Sequence, residues 1–130
     1  MAKMYFGHPV NTYGTEQESE LVEKIKKVFP GHEVENPNQP HHEEGYQARK
    51  SRGERGRDYY FKDVLPNMDA GTFLPFEDDM LGAGVYGEAE FLADAGKPIY
   101  EISIGGVITR LELDESRRLS VEETRKRIRG

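Results

Sequence analysis

Residues 82–104 read GAGVYGEAEFLADAGKPIYEISI, and this stretch decides the fold. At about 100° per residue, Val85, Ala89, Phe91, Leu92 and Ala95 form one apolar stripe, so the first half is a helix. Gly96 closes it, Pro98 follows, and Ile99–Ile104 reads as a strand. The same alternation extends outward. Upstream, Ala70–Phe76 (AGTFLPF) is an apolar central strand. Lys3–His8 (KMYFGH) is a short buried strand that stops at Gly7-His8-Pro9. Thr15 then opens a helix through the capping box T-E-Q-E, with Leu21, Val22, Ile25, Val28 and Phe29 on one face. Pro30-Gly31 ends that helix, and His32–Glu35 forms a weak second strand.

Alternating strands and helices through Ile104 predict one α/β domain over residues 1–130. Its sheet is parallel, of about five strands, with helices on both faces. Gly105-Gly106 predicts a hairpin turn into Val107–Leu113, an antiparallel edge. Ser120–Glu123 is a second capping box and starts a short basic helix. Between the second and third strands, NPNQPHHEEGY reads as a proline-rich loop and RKSRGERGRD as a mobile one. Asp58 is expected to cap a helix running to Leu65 and ended by Pro66.

The composition excludes several classes. With no cysteine, neither disulfides nor thiolate metal sites are available. No stretch approaches the roughly 20 apolar residues of a spanning helix, and MAKMYFGHPV lacks the pattern of a signal peptide. A cytoplasmic protein is expected, with no membrane partner. The net charge is −6. Residues 117–130 carry six basic against two acidic side chains, a local +4 that leaves −10 on the first 116. No recognition motif accompanies the basic segment, so a nucleic-acid polymer is not the expected partner.

In a parallel sheet of this kind ligands bind beyond the carboxyl ends of the strands, where the strand order reverses. The loops there offer His8, Asn11, Tyr13, Asn36, Asn38, His41, His42, Asp78 and Asp79. Glu88 falls inside the apolar stripe of its helix, near the positive N-terminal end, whereas Glu90 and Asp94 lie opposite. Gly82, Gly84 and Gly87 leave room for a ligand to approach the backbone. Spacing alone leaves two readings of Glu88 open: a glutamate matched to the helix dipole, or a cleft residue.

YFGHP, DAGTFLPF, GAGVYGE and AGKPIYEI, in that order, resemble the nucleoside 2-deoxyribosyltransferase superfamily. That superfamily includes the 2'-deoxynucleoside 5'-monophosphate N-glycosidases. The resemblance spans about residues 3–104. Its most specific part is a glycine four residues before the glutamate and Gly-Lys-Pro eight to ten after it, matched by Gly84, Glu88 and Gly96-Lys97-Pro98. It implies a Rossmann-like (flavodoxin-like) fold, no cofactor, and Glu88 as the nucleophile on a deoxyribosyl C1'. It also implies an aspartate before the third strand, for which Asp58 is the nearest candidate. Six residues before the nucleophile the family carries aspartate or serine. Here Gly82 stands there, and Asp78 or Asp79 is expected to reach the same space.

The resemblance therefore implies cleavage or transfer of the N-glycosidic bond of a 2'-deoxynucleoside or its 5'-monophosphate. The alternative is a non-catalytic nucleotide-binding protein of the same fold. Tyr13 is expected to stack on the base, and Asn11 or His8 to hydrogen-bond it. No metal site is expected, because neighbouring histidines in an extended loop point apart and no third ligand follows His41-His42 at a recognisable spacing. The basic run Arg49–Arg57 is expected to be a solvated loop, with contact to a 5'-phosphate as its other reading. A homodimer or larger homo-oligomer is expected, with Val121 and Ile128 of the C-terminal helix as contacts.

Overall fold

A computed structural model describes residues 1–129. Five strands, β1 (Ala2–Gly7), β2 (His32–Glu35), β3 (Ala70–Phe73), β4 (Ile99–Ile102) and β5 (Ile108–Arg110), form one sheet in the order 2-1-3-4-5. The first four are mutually parallel, and β5 pairs antiparallel with β4 through the expected Ser103–Val107 turn. This is the flavodoxin-like strand order, whose reversal point lies between β1 and β3. The parallel α/β reading holds.

The period-2 alternation of each strand divides the core into two layers. Met4 and Phe6 of β1, Ala70 of β3 and Ile102 of β4 pack with Leu21 and Ile25 of α1 (Glu16–Val28). Tyr5, Phe73 and Ile99 point to the other face, against Val85, Ala89 and Leu92 of α3 (Ala83–Asp94). The Thr15 hydroxyl accepts the Glu18 N–H as the capping motif predicts, although the Glu18 carboxylate accepts from Gly14 rather than Thr15. At the end of α3 the Gly96 and Lys97 amides cap the Ala93 and Leu92 carbonyls, the Schellman pattern. Ala95, placed in the apolar stripe by periodicity, sits at this C-terminus and is exposed.

The region between β2 and β3 departs from the expectation. Residues read as two loops contain a helix, α2 (Pro40–Ser51). Pro40 is its first residue, where a missing N–H costs nothing, so a proline read as a loop signal is a helix start. The polar run 49–58 is joined to its surroundings by ion pairs. Arg49 donates to both oxygens of Asp63 at 2.7 and 3.1 Å and to Glu54 at 3.1 Å. Tyr59–Val64 forms a π-helical segment that tightens into a 3-10 turn at Leu65–Asn67. A Cβ on Gly45 would lie 2.1 Å from the Tyr59 ring, so only glycine lets α2 approach this segment. Asp58 has helical dihedrals, and its carboxylate makes no cap to the helix; it accepts the Arg55 N–H at 3.3 Å.

The C-terminal helix α4 (Val121–Arg129) starts with the predicted capping box, closed in both directions between Ser120 and Glu123 at 3.0 Å. The basic segment is held by the body's own carboxylates. Arg117 forms a two-pronged pair with Glu101, and Arg127 another with Asp78 at 2.7 Å. Leu81 bridges to the chain at Arg117–Leu119, and α4 packs on α3. No helix among the described residues is long and apolar enough to cross a membrane.

Candidate active site

The site lies where β1 and β3 end and α3 begins. Glu88, in the second turn of α3, turns its side chain back toward the sheet, as periodicity indicates. Its Oε2 accepts a 2.6 Å hydrogen bond from the hydroxyl of Tyr5. Strand alternation aims Tyr5 at this face, and its ring is fully buried among Phe73, Val85 and Leu92. The missing side chain of Gly7 makes the space: a Cβ there would meet Phe73 at 2.5 Å and Glu88 Oε1 at 3.2 Å.

Two cavities meet at Glu88. The first, about 170 Å³, has aromatic and apolar walls from His8, Pro9, Val10, Tyr13, Phe76 and Ile128. The second, about 380 Å³, carries Arg57, Arg118 and Arg125 with Tyr46 and Phe61. Tyr60, Gly84, Glu88 and Thr124 border both. Arg57 stacks on Phe61 and Arg118 on Tyr86, each 4.9 Å from the ring centroid. Among the described residues Arg57 and Arg125 form no ion pair. The first cavity is thus aromatic and apolar, the second sets three arginines beside aromatic rings, and the Glu88 carboxylate borders both.

Burial raises the Glu88 carboxyl pKa to about 7, the Tyr5 hydrogen bond pulling partly the other way. The same burial, and the Glu88 charge beside it, push the Tyr5 hydroxyl well above its ordinary value, so it stays a donor. Tyr13 and Tyr60 are raised for the same reasons, burial first. At neutral pH Glu88 divides between acid and carboxylate, and binding of a cationic centre would draw it to the carboxylate.

His8 is buried and its pKa is lowered by that burial. Its Nε2 faces Asn36 Oδ1 at 3.0 Å and Glu18 Oε2 at 3.4 Å, while Nδ1 lies 3.3 Å from the Pro9 carbonyl. Asn38 in turn donates to Glu18 at 3.0 Å. The neutral imidazole has a single N–H to share among these acceptors, and His8 presents to the cavity a ring packed against the edge of Tyr13, centroids 4.8 Å apart. Its ring thereby supports Tyr13 at the cavity wall.

Of the residues singled out in the sequence, the cleft unites Glu88, His8, Tyr13, Gly82 and Gly84. The others lie elsewhere. Asn11 is exposed and lines a separate cavity with Thr12 and Gln17. Asp78 is bound to Arg127. Asp79, at φ 67°, gives its carbonyl to Arg117 and does not reach Gly82. Asp58 lines neither Glu88 cavity. Of the basic run, only Arg57 reaches the cleft.

Tyr5, Tyr60, Phe76, Thr124 and Ile128 escaped the sequence reading. Tyr5 had a signal, since its hydroxyl needs a partner when alternation buries it. The α4 residues had none. Thr124 reaches the start of α3, where its hydroxyl accepts the Ala83 N–H at 2.9 Å and its methyl lies 3.2 Å from where a Gly82 Cβ would stand. Ile128 and Val121, expected at a subunit contact, border the first and second cavity respectively, and Val121 is also exposed. No family model, curated protein or solved structure matches this chain.

Proposed function

We propose that this chain is a member of the nucleoside 2-deoxyribosyltransferase superfamily. In this reading it cleaves or transfers the N-glycosidic bond of a 2'-deoxynucleoside or its 5'-monophosphate, with Glu88 as nucleophile. The observation that carries the reading is the Glu88 carboxylate, anchored by the Tyr5 hydroxyl between an aromatic and a cationic cavity. In a nucleotide, C1' lies between the base and the 5'-phosphate. A base stacked near Tyr13 and Phe76, with the phosphate toward Arg57, Arg118 and Arg125, brings C1' to Glu88.

The chemistry follows from charge. As the C1'–N bond lengthens, the base takes the bonding pair and the sugar becomes oxocarbenium-like. The fixed carboxylate stabilises that positive charge and closes on C1' as a glycosyl ester. Oε1 is the free oxygen for this bond, because Oε2 holds Tyr5. Water or a ring nitrogen of a second nucleobase then attacks C1' and displaces the Glu88 carboxylate, and the proton it loses neutralises the departed base. Beside Gly82, the position where the resembled family carries aspartate or serine, Thr124 presents its methyl group, while its hydroxyl donates to the Ser120 carbonyl and accepts the Ala83 N–H.

The test is release of free base from a panel of 2'-deoxynucleosides and their 5'-monophosphates, with and without an acceptor base. Release by the wild type and its loss in Glu88→Gln is the expected result. Binding without turnover would favour the non-catalytic nucleotide-binding reading. We further propose a homodimer or larger assembly, because Val10, Ile104 and Val107 are exposed at the end of the sheet where β1 and β4 finish. A monomeric mass by light scattering at micromolar concentration would refute it.

A further inference from the structure

A second cluster of chemically active side chains lies away from Glu88, where β2 ends and α2 begins. Glu35 is the last residue of β2, and His41 and His42 are in the first turn of α2. Glu35 Oε1 is 2.5 Å from His42 Nε2 and 3.5 Å from His41 Nε2. One ligand atom from each residue falls within 4.8 Å of the other two. The histidines neighbour each other in a helical turn rather than an extended loop, and their ring centroids are 4.0 Å apart. Both nitrogens therefore face a carboxylate that comes from a different element.

We propose that Glu35, His41 and His42 bind one divalent transition-metal ion of the zinc class, through Glu35 Oε1 and the two Nε2 atoms. Two imidazoles and a carboxylate suit zinc, cobalt or nickel and are a poor set for magnesium or calcium. Tetrahedral ligands around zinc stand about 3.4 Å apart, so the Glu35–His42 pair opens by roughly 1 Å to admit the ion. Three protein ligands leave a fourth position for water, on the side where His41 is 60% exposed.

The surroundings orient the ligands. His42 is nearly buried, and its Nδ1 lies 2.7 Å from the Tyr59 hydroxyl. A ligating histidine is ordinarily held at its other nitrogen in this way. A tyrosine hydroxyl both donates and accepts, so Tyr59 serves each state. Without the ion, Tyr59 donates to Nδ1 and the His42 Nε2–H donates to Glu35. With the ion, Nδ1–H donates to Tyr59 and the Nε2 lone pair is free for the metal. The proton changes nitrogen by exchange with solvent, and neutral His42 gains and loses none overall. The ion ties the end of β2 to α2 across residues 36–39, which hold Asn36 against His8 and bring Pro37 to the Glu88 cavity. This inference does not depend on the chemistry at Glu88.

Calorimetric titration of the tag-free full chain with zinc chloride tests it, with cobalt(II) added separately for its visible absorption. One ion per chain is expected, with cobalt bands of four-coordinate intensity and no competition from excess magnesium. His41→Ala removes a largely exposed side chain, so circular dichroism should be unchanged while zinc affinity falls about ten-fold or more. Glu35→Gln and His42→Ala should weaken binding at least as much, and His32→Ala should leave it unchanged. Absence of zinc binding by the wild type, or equal binding by wild type and His41→Ala, overturns the proposal.

Discussion

The hydroxyl of Tyr5 donates to Glu88 Oε2 across 2.6 Å, joining the first strand to a helix 83 residues further along the chain. The contact fixes one oxygen of the carboxylate and leaves the other directed at the space beside Gly7. It also opposes, in part, the effect of burial on the Glu88 charge. The behaviour expected of the site follows from these two facts.

Glu88→Gln keeps the side chain's size and removes its charge. On a substrate the wild type turns over, kcat should fall on the order of 10²-fold or more, about 3 kcal/mol. Glu90→Gln, on the same helix but outside both cavities, should behave as wild type. Steady-state rates of the two variants decide it, and wild-type turnover by Glu88→Gln would remove Glu88 from the mechanism.

Stability and activity should move in opposite directions with pH. The folded Glu88 pKa of about 7 exceeds the ordinary 4.5, so between these values the folded state holds more proton than the unfolded one. Its contribution to stability is full below about 4.5 and falls as pH rises, by up to roughly 3 kcal/mol once pH passes 7. The proposed mechanism uses the carboxylate, so kcat/KM should rise through the same range. Denaturant melts from pH 4.5 to 8 should show Glu88→Gln losing less stability than wild type. Parallel curves for the two proteins would contradict the assignment of this titration to Glu88.

Tyr5→Phe deletes the only hydroxyl bonded to Glu88 among the described residues while keeping the buried ring. Without that donor the carboxyl pKa should climb further, moving the rise of the pH–rate profile toward alkaline pH. At pH 7 the rate should drop several-fold, in line with about 1 kcal/mol for the bond. A profile with an unmoved midpoint would mean the contact does not tune Glu88.

Thr124→Val removes the hydroxyl that accepts the Ala83 N–H and leaves the side chain's shape. The start of α3 should lose about 1 kcal/mol, visible as a lower melting temperature, and Thr124→Ser should restore it. Equal melting of Thr124→Val and wild type would show that water replaces the cap at no cost.

Local rules made much of the architecture legible. Alternation in KMYFGH separates Met4 and Phe6 from Tyr5, and the helical period puts Glu88 on the inner face of α3. Capping boxes at Thr15 and Ser120 marked true helix starts, because the groups that cap a helix are its sequence neighbours. The same reasoning failed between Asn36 and Asp58. Pro40 and Gly45 are breakers by local preference, yet the first suits a helix start and the second is needed where Tyr59 packs on the backbone.

What only the tertiary structure decided is which distant groups share the cleft. Periodicity turns Glu88 inward, but its partner depends on the register of β1 against β3 and the depth at which α3 rests on both. Asp58, Asp78 and Asp79 carry suitable chemistry, and their backbone positions aim them elsewhere. Thr124 and Ile128 close the site because α4 folds back over α3, where Thr124 meets the Ala83 N–H and Arg127 pairs with Asp78, 49 residues away in the chain. Helix and strand assignments follow from neighbours a few residues away, whereas a site is made by packing between elements, and no local pattern encodes that packing.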